Sequence, residues 1–140
     1  MYGIQIIEQA VGAIRRQWEN SQGVIIDALQ PETPSMEQYV RIMGIEFRCL
    51  VENEINGTNI LRIEEKSKSC MGTYKGPVIL VARYVQPSVY GTLRKMELNF
   101  ADTVGNYNIQ YTKGRKVIFH LSHTGEKAPV NNNKNYPIFQ

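Results

Sequence analysis

Apolar residues recur every three or four positions in two stretches of the chain, and this spacing predicts two amphipathic helices. The first stretch covers residues 3–20, where an apolar stripe runs beside a polar face. The second covers residues 35–54 and begins with a capping-box pattern at Ser35. Within the second stretch, Gly44 indicates a close helix crossing, and Gly57 marks the end of the helix.

Elsewhere apolar and polar residues alternate with a period of two, which predicts strands. The predicted strands cover residues 24–29, 58–64, 77–85, 96–100, 107–111 and 116–121. The segment 77–85 is the most apolar, so we expect it at the centre of the sheet. The polar, glycine-rich segment 65–77 is predicted to be a loop, and residues 112–115 a hairpin turn.

Helices that precede a run of strands predict an α+β domain. We expect two layers, with two amphipathic helices on one face of a mainly antiparallel sheet of about five to six strands. Residues 1–124 are predicted to form this single domain, and residues 125–140 a polar C-terminal arm. The arm ends in an apolar tip, Tyr136, Ile138 and Phe139, which we expect to dock on a neighbouring subunit.

The composition is that of an ordinary globular protein, with 42% hydrophobic and 21% charged residues. No apolar run approaches the roughly 18 residues that a membrane-spanning helix needs. Polar residues also interrupt the N-terminal stretch where a signal peptide would be continuously apolar. We therefore expect a cytoplasmic protein without membrane association, whose two cysteines, Cys49 and Cys70, are reduced thiols.

The net charge of +3 hides an uneven distribution along the chain. Residues 1–61 carry a net charge of −4, whereas residues 62–140 carry +7. An asymmetry of this size suggests an electrostatic partner, either protein or nucleic acid. The basic residues that we expect to contact this partner are Lys66, Lys68, Lys75, Arg94, Lys95, Lys113, Arg115 and Lys116.

One motif has the residue types of a metal-dependent nuclease. Glu64-Glu65-Lys66 is predicted at the end of a strand, Asp27 lies on an earlier predicted strand, and Glu8 on the first helix could add a ligand. In such enzymes two carboxylates hold the metal and a lysine orients the attacking water. The simpler interpretation, which we prefer, is a solvated strand end that runs into a loop.

The sequence gives weaker support to a zinc site and to other kinds of catalysis. Cys49, Cys70, His120 and His123 are zinc-ligand types, but no Cys-x-x-Cys pair is present. The sequence also contains no nucleotide-binding fingerprint and no serine-hydrolase motif. We therefore expect no catalytic residues, no metal and no cofactor.

Without a convergent catalytic set, the sequence favours a non-enzymatic subunit of an assembly. Small α+β subunits form rings in phage necks and tails, as connectors, stoppers or terminators, and the likeness is one of architecture only. We expect a homo-oligomer or a larger assembly, which would be a virion component if the phage interpretation holds. The alternative is a nucleic-acid-binding protein whose basic residues neutralise phosphates and whose tyrosines stack on bases. The tyrosines interleaved with the basic residues are Tyr74, Tyr84, Tyr90, Tyr107 and Tyr111.

Overall fold

The computed structural model describes residues 3–18, 26–29 and 37–128, which form three α-helices, a 3-10 turn and one seven-stranded sheet. In chain order the elements are α1 (Gly3–Gln17), β1 (Ile26–Leu29), β2 (Tyr39–Ile42), β3 (Ile45–Ile55), α2 (Ile60–Thr73), β4 (Val78–Val85), the 3-10 turn (Pro87–Val89), α3 (Tyr90–Lys95), β5 (Asn99–Asp102), β6 (Tyr107–Lys113) and β7 (Lys116–His123).

The strands lie in the sheet in the same order as in the chain. β3, β4 and β5 are parallel, while β1 and β2 on one side and β6 and β7 on the other continue the sheet with antiparallel pairs. Parallel neighbours need a crossover, and α2 and α3 provide the two crossovers here. The predicted α+β class is confirmed. The sheet, however, is mixed, and its seven strands exceed the predicted five to six by one.

Helices cover both faces of the sheet, so the prediction of two helices on one face is wrong. On β4, Ile79 and Val81 pack in the core beside α1, whereas Leu80 and Ala82 pack in the core beside α2 and α3. Successive strand residues point to opposite faces, which gives three layers. Because β4 is buried on both faces it is almost continuously apolar, and its predicted central place is confirmed.

The sheet is strongly curled towards α1. The ring of Phe47 on β3 lies 6.4 Å from that of Tyr111 on β6 and 6.3 Å from that of Phe119 on β7, measured between centroids. In a flat sheet β3 and β6 would be roughly 14 Å apart, since neighbouring strands are about 4.8 Å apart. The curl therefore closes the core around Phe47, which is fully buried.

The predicted helix over residues 35–54 is wrong. Its described part forms the β2–β3 hairpin, whose turn consists of Met43 and Gly44 with φ angles of 52° and 84°. A two-residue hairpin turn of this kind needs positive φ at both positions. Arg41 and Glu46 then face each other across the hairpin at 2.8 Å. Gly44 therefore permits a hairpin turn and does not mark a close helix crossing.

The predicted strand 58–64 and loop 65–77 are also wrong, because α2 takes up most of both. Gly57 does not end a helix but precedes one. The side-chain oxygen of its neighbour Asn56 accepts hydrogen bonds from the backbone N–H groups of Thr58 (2.9 Å) and Asn59 (3.2 Å). The buried residues of α2 follow at helical spacing: Ile60, Ile63, Ser67 and Cys70.

Several predictions fall on residues outside the described ranges. These are the end of the first helix (19–20), the start of the first strand (24–25), the capping pattern at Ser35, and the arm tip Tyr136, Ile138 and Phe139. Within the described part, α1, β6 and β7 confirm the predicted elements, and α3 was not predicted. No helix in this part is long and apolar enough to cross a membrane.

Candidate functional site

On the face of the sheet opposite α1, an open cleft lies over β5, β6 and β7. It is open because α3 has only six residues and packs Leu93 against the middle of the sheet. The volume of the cleft is about 510 Å³. The lining residues are Arg94, Glu97, Leu98, Asn99, Asn108, Gln110, Thr112, Gly114, His120 and Ser122.

The floor of this cleft is polar because β6 and β7 alternate between the two faces of the sheet. Ile109 is fully buried on the α1 side, whereas its neighbours Asn108 and Gln110 point into the cleft. On β7, Ser122 lies opposite Asn108, and His120 lies opposite Gln110. A two-strand polar surface thus remains beside the apolar core.

Part of the floor is held in place by hydrogen bonds. The side-chain oxygen of Asn99 accepts from the backbone N–H of Gln110 at 2.8 Å, and its NH₂ group donates to the carbonyl of Val78 at 3.1 Å. Nε2 of His120 lies 2.7 Å from Oδ1 of Asn108. Because an amide oxygen only accepts, this contact places a hydrogen on Nε2. These bonds fix the positions of the surrounding floor groups.

Other polar groups of the floor make no hydrogen bond with any described residue. They are the amide of Gln110 and the hydroxyl groups of Thr112 and Ser122. Amides and hydroxyls both donate and accept. The floor therefore offers hydrogen-bonding capacity that a polar ligand could satisfy.

Five exposed cations border the cleft on two sides. Arg94 and Lys95 end α3, and Lys113, Arg115 and Lys116 surround the β6–β7 turn. Arg94 lines the cleft, and the other four lie within two positions of a lining residue. None of the five forms an ion pair with a described carboxylate. Because these like charges are not compensated there, this region favours an anion.

The other three predicted basic residues lie on or beside α2, away from this cleft. The Lys66 ammonium is 3.1 Å from the Glu52 carboxylate, and the Lys68 ammonium is 3.2 Å from that of Glu64. Lys75 follows the end of α2 and is exposed. The structure thus brings together five of the eight predicted residues, while two of the remaining three are neutralised within the chain.

Glu52 shows why the α2 cations belong to the fold. Its side chain on β3 is only 10% exposed and accepts hydrogen bonds from Arg62 at 3.0 Å and from Lys66 at 3.1 Å. Burial alone would raise the pKa of Glu52, but the hydrogen bonds and charges of these two partners outweigh it and lower that pKa. The three groups therefore attach α2 to the sheet.

The residues of the nuclease motif do not converge. Glu64-Glu65-Lys66 lies in the middle of α2 and not at a strand end, and Asp27 on β1 is paired with Arg15 of α1. Glu8 belongs to α1, on the other side of the sheet from α2. Among the described residues there is no group of three or more His, Cys, Asp or Glu side chains that could hold a metal ion.

The candidate zinc ligands are also apart. Cys49 packs on the α1 side of the sheet and Cys70 on the opposite side, and neither forms a disulfide. Burial raises the pKa of the Cys49 thiol to about 12, so it stays protonated at neutral pH. His120 lies in the cleft, while His123 lies 2.9 Å from Glu126.

The tyrosines that were expected to stack on bases mostly pack within the fold. The hydroxyl of Tyr107 is buried and bonded to the indole N–H of Trp18 at 2.6 Å. Tyr111 packs on the α1-side core, and Tyr90 stacks on Phe100. None of the predicted tyrosines is among the residues that line the cleft, although the Arg94 guanidinium lies 6.0 Å from the ring centroid of Tyr90.

A second cleft, of about 450 Å³, lies at the carboxyl ends of the parallel strands β3, β4 and β5. Ligands often bind at this edge of a parallel sheet. Here, however, Arg83 donates to the side-chain oxygen of Asn53 at 3.3 Å, and Glu54 accepts from Asn56 at 3.2 Å and from Gln86 at 2.8 Å. Asn53, Glu54 and Arg83 thus already have partners within the chain, so the cleft shows no clear preference for a ligand charge.

The buried carboxylate of Asp102 beside this edge was not predicted from the sequence. Its two oxygens accept five hydrogen bonds of 2.9–3.0 Å, from the backbone N–H groups of Val85, Val104, Gly105 and Asn106 and from the side chain of Asn106. The Asp-x-x-Gly-Asn pattern was the available signal, since Asp and Gly are typical of such turns. Gly105, with φ of 113°, permits the turn.

Comparisons of the chain with models of protein families, with curated proteins and with solved structures find no match.

Proposed function

We propose that the protein binds nucleic acid without catalysis, through the cleft between α3 and the β6–β7 hairpin, named the basic cleft below. The observation that carries this proposal is the group of five exposed cations around a polar cleft, none of them paired with a described carboxylate. Nucleic acid is the polyanion whose phosphates such a group would neutralise.

The charges within the basic cleft agree with a polyanionic ligand. Among the described residues that line it, Glu97 is the only carboxylate, while five cations lie in or next to the lining. Binding about five phosphates would make affinity fall steeply with salt, with a slope of log K against log salt of roughly −3.5 to −4.5.

The floor of the basic cleft supports binding more than chemistry. His120 and Ser122 lie on the same floor, but His120 is bonded to Asn108 and no hydrogen bond joins it to Ser122. A serine nucleophile needs an adjacent base within hydrogen-bonding reach. The free amide and hydroxyl groups instead suit hydrogen bonds to bases.

A charge-neutralising variant tests the proposal. Arg115→Gln with Lys116→Gln removes two of the bordering cations, and we expect the affinity for a fluorescent oligonucleotide at about 50 mM salt to fall about tenfold or more. Lys68→Gln with Lys75→Gln is the matched control, because it removes the same charge from the region of α2. Equal losses in both variants, or no binding by the wild type, would overturn the proposal.

A second candidate is the assembly role expected from the sequence, a structural subunit that forms a homo-oligomer or a part of a phage neck or tail. One observation favours it: β7 is an edge strand, and its residues Val117 and Ile118 are 50% and 47% exposed. An exposed edge strand can pair with another chain. The irregular pairing at Tyr111/Thr112 and the lysine at position 116 oppose such pairing near the turn.

Sedimentation tests the assembly role separately. Under this candidate, nuclease-treated protein at high concentration sediments as an oligomer, and Ile118→Lys converts it to a monomer. A monomeric wild type would exclude self-assembly of the isolated chain and leave a different protein or nucleic acid as the partner of the basic cleft.

A further inference from the structure

We infer that the basic cleft accepts an unpaired, single-stranded segment and not a duplex; this inference rests on the nucleic-acid binding proposed above. Three features of the cleft carry it: its concave shape, its neutral floor groups without a partner among the described residues, and its size.

The shape of the basic cleft is the first feature. It is a recess, with α3 on one side and the β6–β7 hairpin forming its floor and its other side. A protein reaches the base edges of a duplex with an element that protrudes into a groove, such as a helix or a two-stranded ribbon. A recess cannot do so, whereas an unpaired base can leave its neighbours and enter a pocket.

The second feature is the separation of charge from neutral hydrogen-bonding groups. The cations stand on the borders, while the floor presents the amide of Gln110 and the hydroxyls of Thr112 and Ser122 without partners among the described residues. A nucleotide has the same division, with charge on its phosphate and neutral donors and acceptors on its base. In single strands the Watson–Crick edge of the base is open to such contacts.

The third feature is size. A volume of about 510 Å³ lies within the range of about 300–1,000 Å³ that is typical of small-molecule pockets. It therefore has room for one or two nucleotides and not for the full width of a duplex. Among the described residues that line the cleft there is no Phe, Tyr or Trp, and the imidazole of His120 is the one ring. Hydrogen bonds to the base would then contribute more than stacking, so we expect affinity to depend on base identity.

Three fluorescent DNA probes of equal length test the inference: a single strand, the same strand in a duplex, and an abasic strand with the same phosphates. At matched salt we expect the single strand to bind at least about tenfold more tightly than either of the others. Gln110→Ala should weaken binding of the single strand several-fold and leave the abasic strand unchanged. Arg115→Gln should weaken both, because phosphates are common to them. Ser122→Ala, also on the exposed floor, provides an independent second variant.

The outcomes separate this inference from the function on which it rests. If the duplex binds as tightly as the single strand, the basic turn Lys113–Lys116 acts as a ribbon in a duplex groove, and the inference fails while nucleic-acid binding stands. Equal weakening of the single and abasic strands by Gln110→Ala would also contradict it. If no probe binds, the proposed function itself fails.

Discussion

Asp102 is a fully buried carboxylate that no described cation neutralises. Five N–H groups take the place of a cation, and they join the end of β4 to the turn between β5 and β6. Asn106 extends this network, since its amide exchanges two hydrogen bonds with the backbone of Glu126. A single buried residue thus fixes the carboxyl edge of the parallel strands.

The first prediction concerns this residue. Asp102→Asn keeps the shape of the side chain but points an NH₂ group at N–H donors, which leaves buried donors unsatisfied. We expect a loss of about 3 kcal/mol in the free energy of unfolding, measured by urea denaturation. Asn53→Ala, at an exposed position of the same edge, should cost much less. A loss below about 1 kcal/mol for Asp102→Asn would mean that the network contributes little.

Glu52 gives a prediction about pH. Its pKa is lowered in the folded state, so its ion pairs stabilise the fold above the ordinary glutamate pKa of about 4.3, and this contribution disappears as the pH falls through the lowered pKa. Glu52→Gln should therefore be less stable than the wild type by about 1 kcal/mol at pH 7. The difference should shrink towards pH 3. A difference that is the same at both pH values would show that the loss comes from packing and not from charge.

At the scale of the elements, the elements with a clear pattern were predictable and those with an ambiguous pattern were not. The segment over β4 is apolar at almost every position, and β6–β7 alternates cleanly around Gly114, so both were predicted. In the β2–β3 hairpin, Val40, Met43 and Phe47 also satisfy a helical spacing, and this concealed the alternation on each side of the turn. On α2, two of the four buried residues are Ser67 and Cys70, which weakened its apolar stripe.

The β2–β3 turn provides an element-scale prediction. Met43 has φ of 52°, a conformation that costs a residue with a bulky side chain roughly 1–3 kcal/mol but that asparagine tolerates better. Met43→Asn creates the Asn-Gly pair preferred in such turns. We expect the urea midpoint to rise, corresponding to a gain of about 0.5–1 kcal/mol. Met43→Val, with a β-branched side chain at the same φ, should lower it. An unchanged midpoint in both would show that this turn does not limit stability.

At the scale of the whole molecule, the folded chain does not divide into an acidic half and a basic half. Instead, the charge asymmetry of the sequence is most evident in one local group of basic residues. Acidic and basic residues from the two parts of the chain neutralise each other where α2 packs on β3, as Glu52 does with Arg62 and Lys66. Five of the cations that pair with no described carboxylate lie at α3 and the β6–β7 turn. The sequence indicated which residues were basic, but not which of them had partners. Which basic residues have partners depends on the shortness of α3 and on which face of β6 is exposed to solvent.

The salt dependence of oligonucleotide binding tests the proposed function most directly. For a single-stranded probe, each phosphate contact contributes about −0.7 to the slope of log K against log salt. Replacing Lys113, Arg115 and Lys116 with glutamine should therefore make the slope about 2 units less steep than that of the wild type, while the urea midpoint stays nearly unchanged. A slope equal to that of the wild type would contradict the account, because the phosphates would then be bound elsewhere on the molecule.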